Sequence, residues 1–283
     1  MPESLKELTV FAPAKVNLHL AVKDRRPDGF HNLESVFLAV DFGDNLRFEL
    51  AGDENRVEIA MEGLDFPLPP EKNIIFRALS LFRAKTAFNQ GLRIRVEKRI
   101  PTGGGLGGGS SDAAAALLAM NRIAGFPLNR AALLEIAAAL GSDVPFFIYE
   151  SGAAWVTGRG ENIRPIETPR LFLVLVNPGF SSCTAAAFKL LDEYRALFPN
   201  STPAGCFWND FLPVFKGREK SVYGKIISQL RGLGANFAGL SGTGSTCFGV
   251  FRDREFAEKA AESLRGMDGG CPWNFVESVS TVF

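Results

Sequence analysis

Residues 101–112 read Pro101-Thr102-Gly103-Gly104-Gly105-Leu106-Gly107-Gly108-Gly109-Ser110-Ser111-Asp112 and run directly into the alanine-rich stretch Ala113 to Ala119. Six glycines in the seven positions 103–109 cannot form the interior of a helix or a strand, because each costs backbone entropy and brings no side chain to pack. The stretch is therefore a loop with a function. Upstream, over Leu92 to Ile100, Leu92, Ile94, Val96 and Ile100 are set against Arg93, Arg95, Glu97 and Arg99 at the period of a half-buried strand. Downstream, Ser110, Ser111 or Asp112 is a candidate N-cap for a long run of strong helix formers. Strand, glycine loop and helix together aim unpaired N–H groups and the positive end of a helix dipole at one place, which suits a phosphate. Glycine lets the backbone approach such an anion without a Cβ in the way.

Several readings of this loop compete. Gly103, Gly105 and Gly108 satisfy the dinucleotide pattern G-x-G-x-x-G, but a run of glycines does so almost by accident, and no second strand ending in an acidic residue follows at the required distance. A Walker A loop needs Gly-Lys-Ser/Thr at its end, and here Ser110 follows Gly109 with no lysine. A flexible linker is disfavoured by the clear strand and helix on either side. A different nucleoside triphosphate loop remains.

The 283 residues are 46% apolar, enough for one large domain or two moderate ones with a real core. Lysine plus arginine equals aspartate plus glutamate at 31 each, so no net field favours nucleic acid or an anionic membrane, and neither is expected as a partner. Cys183, Cys206, Cys247 and Cys271 are widely spaced, and His19 and His31 are the only histidines, which argues against a zinc site and for thiols in a reducing compartment. Met1 to Val10 lacks an apolar leader core and no apolar run reaches the length of a membrane span, so the expected location is cytoplasmic.

Along the chain, Leu8 to Val22 reads as a strand, a bend at Pro13 and a second strand, with Lys15, Asn17 and His19 on one face. That face is either solvated or at work. Asp24 to His31 is a charged turn hinged on Pro27-Asp28-Gly29. Strands follow at Ser35 to Val40, Leu46 to Leu50 and Val57 to Met61, then a proline-rich connection, Leu64 to Pro70, and a helix capped by Asn73. Asn129 caps a further helix, Arg130 to Leu140, closed by Gly141. Asp143, set between that stop and Val144-Pro145-Phe146-Phe147, is either an N-cap or a working carboxylate, and pattern alone favours the cap. A hairpin around Gly158-Arg159-Gly160 precedes a second half whose order of strands and helices suggests a split α/β sandwich. Within it, Leu240-Ser241-Gly242-Thr243-Gly244-Ser245 is a turn with more hydroxyls than a turn needs.

Lys15 in Ala12-Pro13-Ala14-Lys15-Val16-Asn17-Leu18, Pro101 to Asp112, and Leu240 to Ser245 resemble, in order and position, the three motifs of the kinases related to galactokinase, homoserine kinase, mevalonate kinase and phosphomevalonate kinase. More narrowly, Arg25-Arg26-Pro27-Asp28-Gly29-Phe30-His31 and Gly141 to Phe147 look like the branch of that family whose substrate is 4-diphosphocytidyl-2-C-methyl-D-erythritol, phosphorylated by ATP on its 2-hydroxyl in the non-mevalonate route to isoprenoid precursors. The resemblance implies an α+β, two-domain fold: residues 1–162 an ATP-binding half like domain 2 of ribosomal protein S5, and residues 163–283 a ferredoxin-like half.

The same resemblance assigns roles. Asp143 would be the general base and Lys15 the cation that holds it ionised. Pro101 to Ser111, with Gly242, Thr243 and Gly244, would bind ATP, and Ser110 or Ser111 would lie near Mg²⁺. One base, one cation and a cradle of backbone donors are sufficient for phosphoryl transfer, which is mostly positioning and charge stabilisation. Asn17, Phe30, His31, Phe37 and Phe188 would bind the small-molecule substrate by its cytidine diphosphate group, with Phe30 and Phe188 stacking on the base and His31 reading its edge. Phe30 stands where the family usually has tyrosine; stacking survives that change and the hydroxyl's hydrogen bond does not. Two other readings stand against this one. A kinase for mevalonate or homoserine would leave Phe30 and His31 without a base to bind, and a non-catalytic nucleotide-binding or RNA-contacting module is disfavoured by zero net charge and by the Lys15 and Asp143 pair.

Overall fold

Apolar alternation sets the strands and apolar stripes at helical spacing set the helices in residues 7–63, 72–198, 207–266 and 273–282, which the computed structural model describes. In chain order the elements are β1 (Glu7–Arg25), β2 (His31–Ala51), β3 (Val57–Glu62), α1 (Ile74–Lys85), β4 (Gly91–Glu97), α2 (Gly108–Ile123), α3 (Arg130–Leu140), α4 (Val144–Ile148), β5 (Ala153–Gly158), β6 (Asn162–Pro165), β7 (Phe172–Asn177), α5 (Thr184–Leu197), α6 (Gly217–Gly232), β8 (Phe237–Leu240), β9 (Cys247–Phe251), α7 (Arg254–Arg265) and β10 (Phe275–Ser280). The Leu64 to Pro70 connection, Cys206 and Cys271 lie outside the described residues. No helix of the described residues is long and apolar enough to cross a membrane.

Packing divides the chain into two compact units. One comprises the described residues up to Ala14, Phe42–Ile100 and Gly107–Glu150; the other comprises Lys15–Asp41, Pro101–Leu106 and the described residues from Ser151 onward. The chain therefore passes from one unit to the other five times: inside β1, inside β2, on entering the glycine loop at Pro101, within that loop after Leu106, and between Glu150 and Ser151.

Two strand expectations are corrected. The bend at Pro13 is absent, and β1 runs unbroken, because proline's fixed φ suits an extended chain and removes only one donor. The strands at 35–40 and 46–50 are one, β2, which continues through Gly43. A Cβ on Gly43 would lie 2.3 Å from Ala12 O, so glycine there serves close backbone approach and does not break the strand.

In the first unit, β3 runs parallel to β4, and β4 pairs antiparallel with residues 45–51 of β2. Leu92, Ile94 and Val96 are buried while Arg93, Arg95 and Glu97 are exposed, the alternation expected of a sheet with one covered face. Helices α1 to α4 pack on one another, and the buried alanines 113–116 and 119 of α2 let its neighbours come close. Asn73 caps α1 by accepting from Ile75 N, and Asn129 caps α3 by accepting from Ala132 N, contacts worth about 1 kcal/mol each.

In the second unit, residues 33–38 of β2 pair with β5, which forms a hairpin with β6. A separate antiparallel sheet has the order β10-β7-β9-β8. Counted within that half, the order is fourth, first, third, second, the ferredoxin-like arrangement. Helix α7 packs on β7, β9 and β10, and α6 packs on β8 and β9. Their core includes Val174, Val176, Tyr223, Ile226, Leu230, Phe251 and Leu264. Cys247 is buried there, which pushes its thiol up and leaves it unreactive, while Cys183 is exposed.

One buried polar cluster lies in the first unit beside the start of α2. Lys98 Nζ donates to Asp112 Oδ2 at 2.7 Å and to Asp44 Oδ2, while Asp44 Oδ1 accepts from the backbone N–H groups of Arg99 (2.6 Å) and Ile100 (2.8 Å). All three side chains are almost fully buried, so two carboxylates share one ammonium. Burial pushes the Asp112 carboxyl up to about 7, more than Lys98 pulls it down, and Asp44 adds to the rise. Lys98 is held above its ordinary value because the two carboxylates outweigh its own burial.

Removing Lys98 leaves uncompensated buried carboxylates, so Lys98→Met is expected to lower unfolding stability by about 3–5 kcal/mol in urea titrations. A loss below about 1 kcal/mol would show that the cluster holds little. Because the folded state binds the Asp112 proton more tightly than the unfolded chain does, this residue makes stability fall as pH rises from about 4 to about 7. Asp112→Asn should lack that slope, so its stability relative to the parent improves across the interval; a gap that does not change with pH counts against the assignment.

Candidate active site

The glycine loop has no side chains to hold it, and in the second unit it is held by its carbonyl groups. The oxygens of Gly103, Gly104, Gly105 and Leu106 accept in turn from Ser182 N (2.9 Å), Thr246 N (3.0 Å), Ser241 Oγ (2.8 Å) and Lys15 N (2.9 Å). Carbonyl oxygens repel phosphate oxygens, and engaging four in succession removes that obstacle to an anion. Gly103 and Gly105 have φ of 68° and 76°, and a Cβ on Gly105 would lie 2.1 Å from Ser241 O. Only glycine fits there.

Leu240 to Ser245 joins β8 to β9 as a turn, with Gly242 and Gly244 at φ of 57° and 89°. Its hydroxyls are also used. Ser241 Oγ accepts from Asn17 N at 3.2 Å while donating to Gly105 O, and Ser245 Oγ donates to Phe180 O. Ser182 Oγ donates to Thr243 O at 2.7 Å, and Asn209 Nδ2 donates to Leu240 O (2.7 Å) and Gly242 O (2.8 Å). Lys15 is 4% exposed and Asn17 2%, so their face of β1 is not solvated. Lys15 Nζ donates to Asn17 Oδ1 at 2.5 Å and lies 4.5 Å from the centre of the Phe37 ring. Asn17 Nδ2 in turn donates to Ser35 Oγ at 3.0 Å. Taking an ammonium out of water costs several kcal/mol before its partners offset it, a cost found more often at working sites than in cores. His19, the third residue of the face, accepts from Trp208 N at Nδ1 (3.1 Å); burial lowers its pKa, which keeps that nitrogen bare.

The charged turn before β2 leaves Phe30 52% exposed, with the Arg159 guanidinium 5.0 Å from its ring centre. His31 is buried, stacks on Phe188 at 5.2 Å and meets Asp192 Oδ1 with Nε2 at 2.9 Å. The edge contact of Phe188 is with Phe211, 4.9 Å between centres.

In the first unit, Gly107 at φ 70° opens α2, and no side chain caps it. The expected N-cap is thus corrected: Ser110, Ser111 and Asp112 lie inside the helix, and Gly108 and Gly109 belong to its first turn. A left-handed glycine can begin a helix directly, and a Cβ on Gly108 would stand 2.8 Å from Ile100 Cγ2. The first-turn N–H groups remain available to an anion. Ser111 Oγ is buried without a hydrogen-bond partner, which in a native structure calls for a ligand or a water. Asp143 precedes α4 with helical backbone angles, φ −87° and ψ −16°, and its side chain does not cap the helix. The capping reading therefore fails.

Of the residues singled out from sequence, Lys15, Asn17, Phe30, His31, Phe37, Phe188, Pro101 to Leu106 and Gly242 to Gly244 fall in the second unit, and Gly107 to Ser111 with Asp143 fall in the first. Sequence reasoning missed Ser35, Ser182, Asn209, Arg159 and Asp192. Asp192 alone had a local signal, since it stands four residues after Phe188 on one helix face. Among the described residues no three His, Cys, Asp or Glu side chains gather as a metal cage.

The family model for the GHMP kinases N terminal domain matches residues 73–151, and that for the GHMP kinases C terminal matches residues 212–267. A 4-diphosphocytidyl-2-C-methyl-D-erythritol kinase from Syntrophotalea carbinolica is 39% identical over 268 residues, covering 91% of this chain and 94% of that protein. One from Pelotomaculum thermopropionicum is 37% identical over 282 residues, covering 92% and 95%. A crystal structure of 4-(cytidine 5'-diphospho)-2C-methyl-D-erythritol kinase superposes with a TM-score of 0.79 at 31% identity, over 98% of this chain and all of that one. A mevalonate kinase from L. major shares the fold, with a TM-score of 0.72 at 14% identity over 99% of this chain and 98% of that one. With relatives this similar along nearly their whole length, the chain belongs to the 4-diphosphocytidyl-2-C-methyl-D-erythritol kinases, a branch of the GHMP kinases.

Proposed function

We propose that the chain transfers the γ-phosphoryl group of ATP to the 2-hydroxyl of 4-diphosphocytidyl-2-C-methyl-D-erythritol, the substrate named in its relatives. The observation that carries the kinase chemistry is the capture of four successive glycine-loop carbonyls by Lys15, Ser182, Ser241 and Thr246. That capture turns the loop's carbonyl oxygens away from an incoming anion, and the last of them is held by the backbone of Lys15, whose ammonium is buried, a combination suited to a phosphate chain. In this reading Pro101 to Ser111 and Gly242 to Gly244 hold the ATP phosphates. Asp143 takes the proton of the acceptor hydroxyl, and Lys15 keeps that carboxylate ionised and offsets charge on the reacting oxygens. Asn17 orients the acceptor with Phe37 beneath Lys15, Phe30 stacks on the cytosine, and His31, backed by Phe188, reads the edge of the base. The boundary proposed between residues 162 and 163 falls between the two family matches, at 73–151 and 212–267. A cytoplasmic location goes with this reading.

A magnesium ion fits these residues as one bound mainly through ATP phosphates and water: no carboxylate cage gathers among the described residues, and the unpartnered Ser111 hydroxyl supplies an oxygen. When bound, it would neutralise charge between the β- and γ-phosphates. Ser110 lies in the same first turn.

An ATP-consumption assay with the diphosphocytidyl substrate tests the activity directly; turnover with mevalonate or homoserine in its place would overturn the assignment. Asp143→Asn should lower kcat by about a hundred- to ten-thousandfold while ATP affinity stays within about threefold, and retention of most activity removes Asp143 as the base. Gly105→Ala forces a methyl group against the Ser241 carbonyl at a left-handed φ, so ATP affinity should fall at least about tenfold in calorimetry. Chelation should stop turnover reversibly, and Ser111→Ala should raise the magnesium concentration needed for half-maximal ATP binding; an unchanged requirement would move the metal away from Ser111.

A further inference from the structure

One face of α5 fixes the His31 ring twice. Phe188 stacks against it, with 21° between the ring planes, and Asp192, four residues further along the helix, meets Nε2 with Oδ1 at 2.9 Å. The imidazole is 7% exposed and the carboxylate 41%. An ionised carboxylate can only accept, so Nε2 carries the hydrogen, and in a neutral imidazole the other nitrogen, Nδ1, is then an acceptor.

We infer that Asp192 is a positioning residue that fixes His31 as an acceptor at Nδ1, and that this tautomer makes the enzyme select cytosine over uracil. The inference rests on the reading of His31 as the group that meets the base. Cytosine presents an amino donor at the ring position where uracil presents a carbonyl acceptor, as thymine does. The Nδ1 lone pair hydrogen-bonds with the first and opposes a lone pair of the second. Phe30 cannot supply this discrimination, because every base offers a π face to stack. Asp192 acts through His31 and needs no contact with the substrate.

Kinetics with the diphosphocytidyl and diphosphouridyl forms of methylerythritol provide the test, at about pH 8.5, two units above the ordinary imidazole value. The parent enzyme should prefer the cytidyl form by about ten- to a hundredfold in kcat/KM. Asp192→Asn, whose amide donates as well as accepts, should shrink that preference about tenfold, chiefly through a higher KM for the cytidyl form, and Asp192→Glu should restore most of it. An equal loss for both substrates, the mark of a purely structural role, overturns the inference. His31→Ala separates the two layers. If it leaves the preference intact, the reading of His31 falls; if it abolishes the preference and Asp192→Asn does not, the inference falls alone. The unsubstituted enzyme gives an independent check, since its two histidines make ¹⁵N NMR of the ring nitrogens simple to assign. Hydrogen at Nε2 of His31 supports the inference, and hydrogen at Nδ1 overturns it.

Discussion

A loop of six glycines has no reason of its own to hold any shape, and the rest of the site depends on the bonds that give it one. Each glycine loses more backbone freedom on folding than another residue would, by about 0.5–1 kcal/mol. A hydrogen bond returns about 1 kcal/mol net. Over Gly103 to Leu106 the two effects are therefore of the same size, and four bonds from four separate donors are enough to hold the segment. The donors come from β1, from the segment before α5 and from the β8–β9 turn. Residues far apart in sequence thus agree on one loop conformation. The arrangement also explains why serine is found at position 241. Its hydroxyl accepts from Asn17 N and donates to Gly105 O, a relay that neither alanine nor a purely accepting group could perform.

On the far side of the Leu106–Gly107 peptide the loop becomes a helix, and there it is held by a different device. Asp112 lies in the early part of α2, and its bond to Lys98 ties that helix to the end of β4, where Asp44 also holds the Arg99 and Ile100 amides. The excess buried negative charge is an electrostatic cost that a core of apolar residues would not carry. What it provides is a fixed path into and out of the glycines: the chain enters at Ile100 and leaves at Gly108, where a Cβ would meet the Ile100 side chain at 2.8 Å. Hydrogen bonds to its carbonyl oxygens shape the loop's first half, and an ion cluster sets the ends of its second.

Elements carried by local pattern were legible in the sequence. The alternation from Leu92 to Val96, the Asn73 and Asn129 caps and the strand and helix order of the ferredoxin-like half all depend on residues close to one another in the chain. The corrections share one feature, a residue type whose usual local meaning does not apply where it stands. Pro13 and Gly43 look like breaks, yet the extended chain tolerates the first, and the approach of Ala12 requires the second. Ser110 to Asp112 look like caps, yet a left-handed glycine starts the helix three residues earlier. Lys15, Asn17 and the Ser241 turn were visible as oddities, polar groups in excess of what their strand or turn needed. Their partners, Ser35, Ser182 and Asn209, were not visible, because a serine or asparagine that supports a loop from far along the chain leaves no pattern at its own position.

The substrate class named in the relatives is matched, under the proposed residue roles, by spacing along one strand. His31, Ser35 and Phe37 are separated by even numbers of residues, so they share a face of β2. Ser35 holds Asn17, and Phe37 lies beneath Lys15, so with the roles proposed for Lys15 and Asn17 the reacting end belongs at this part of the strand. His31 stands six residues from Phe37, and at about 3.3 Å per residue the two are roughly 20 Å apart. A small alcohol placed at Lys15 could not reach His31. A hydroxyl joined through a diphosphate to a nucleoside has the required length, with its base at one end and its acceptor oxygen at the other. In the proposed reading, a base-binding group at His31 is thus useful only to a long substrate. That group, more than the glycine loop proposed to hold phosphate, is what would separate this enzyme from kinases of small alcohols.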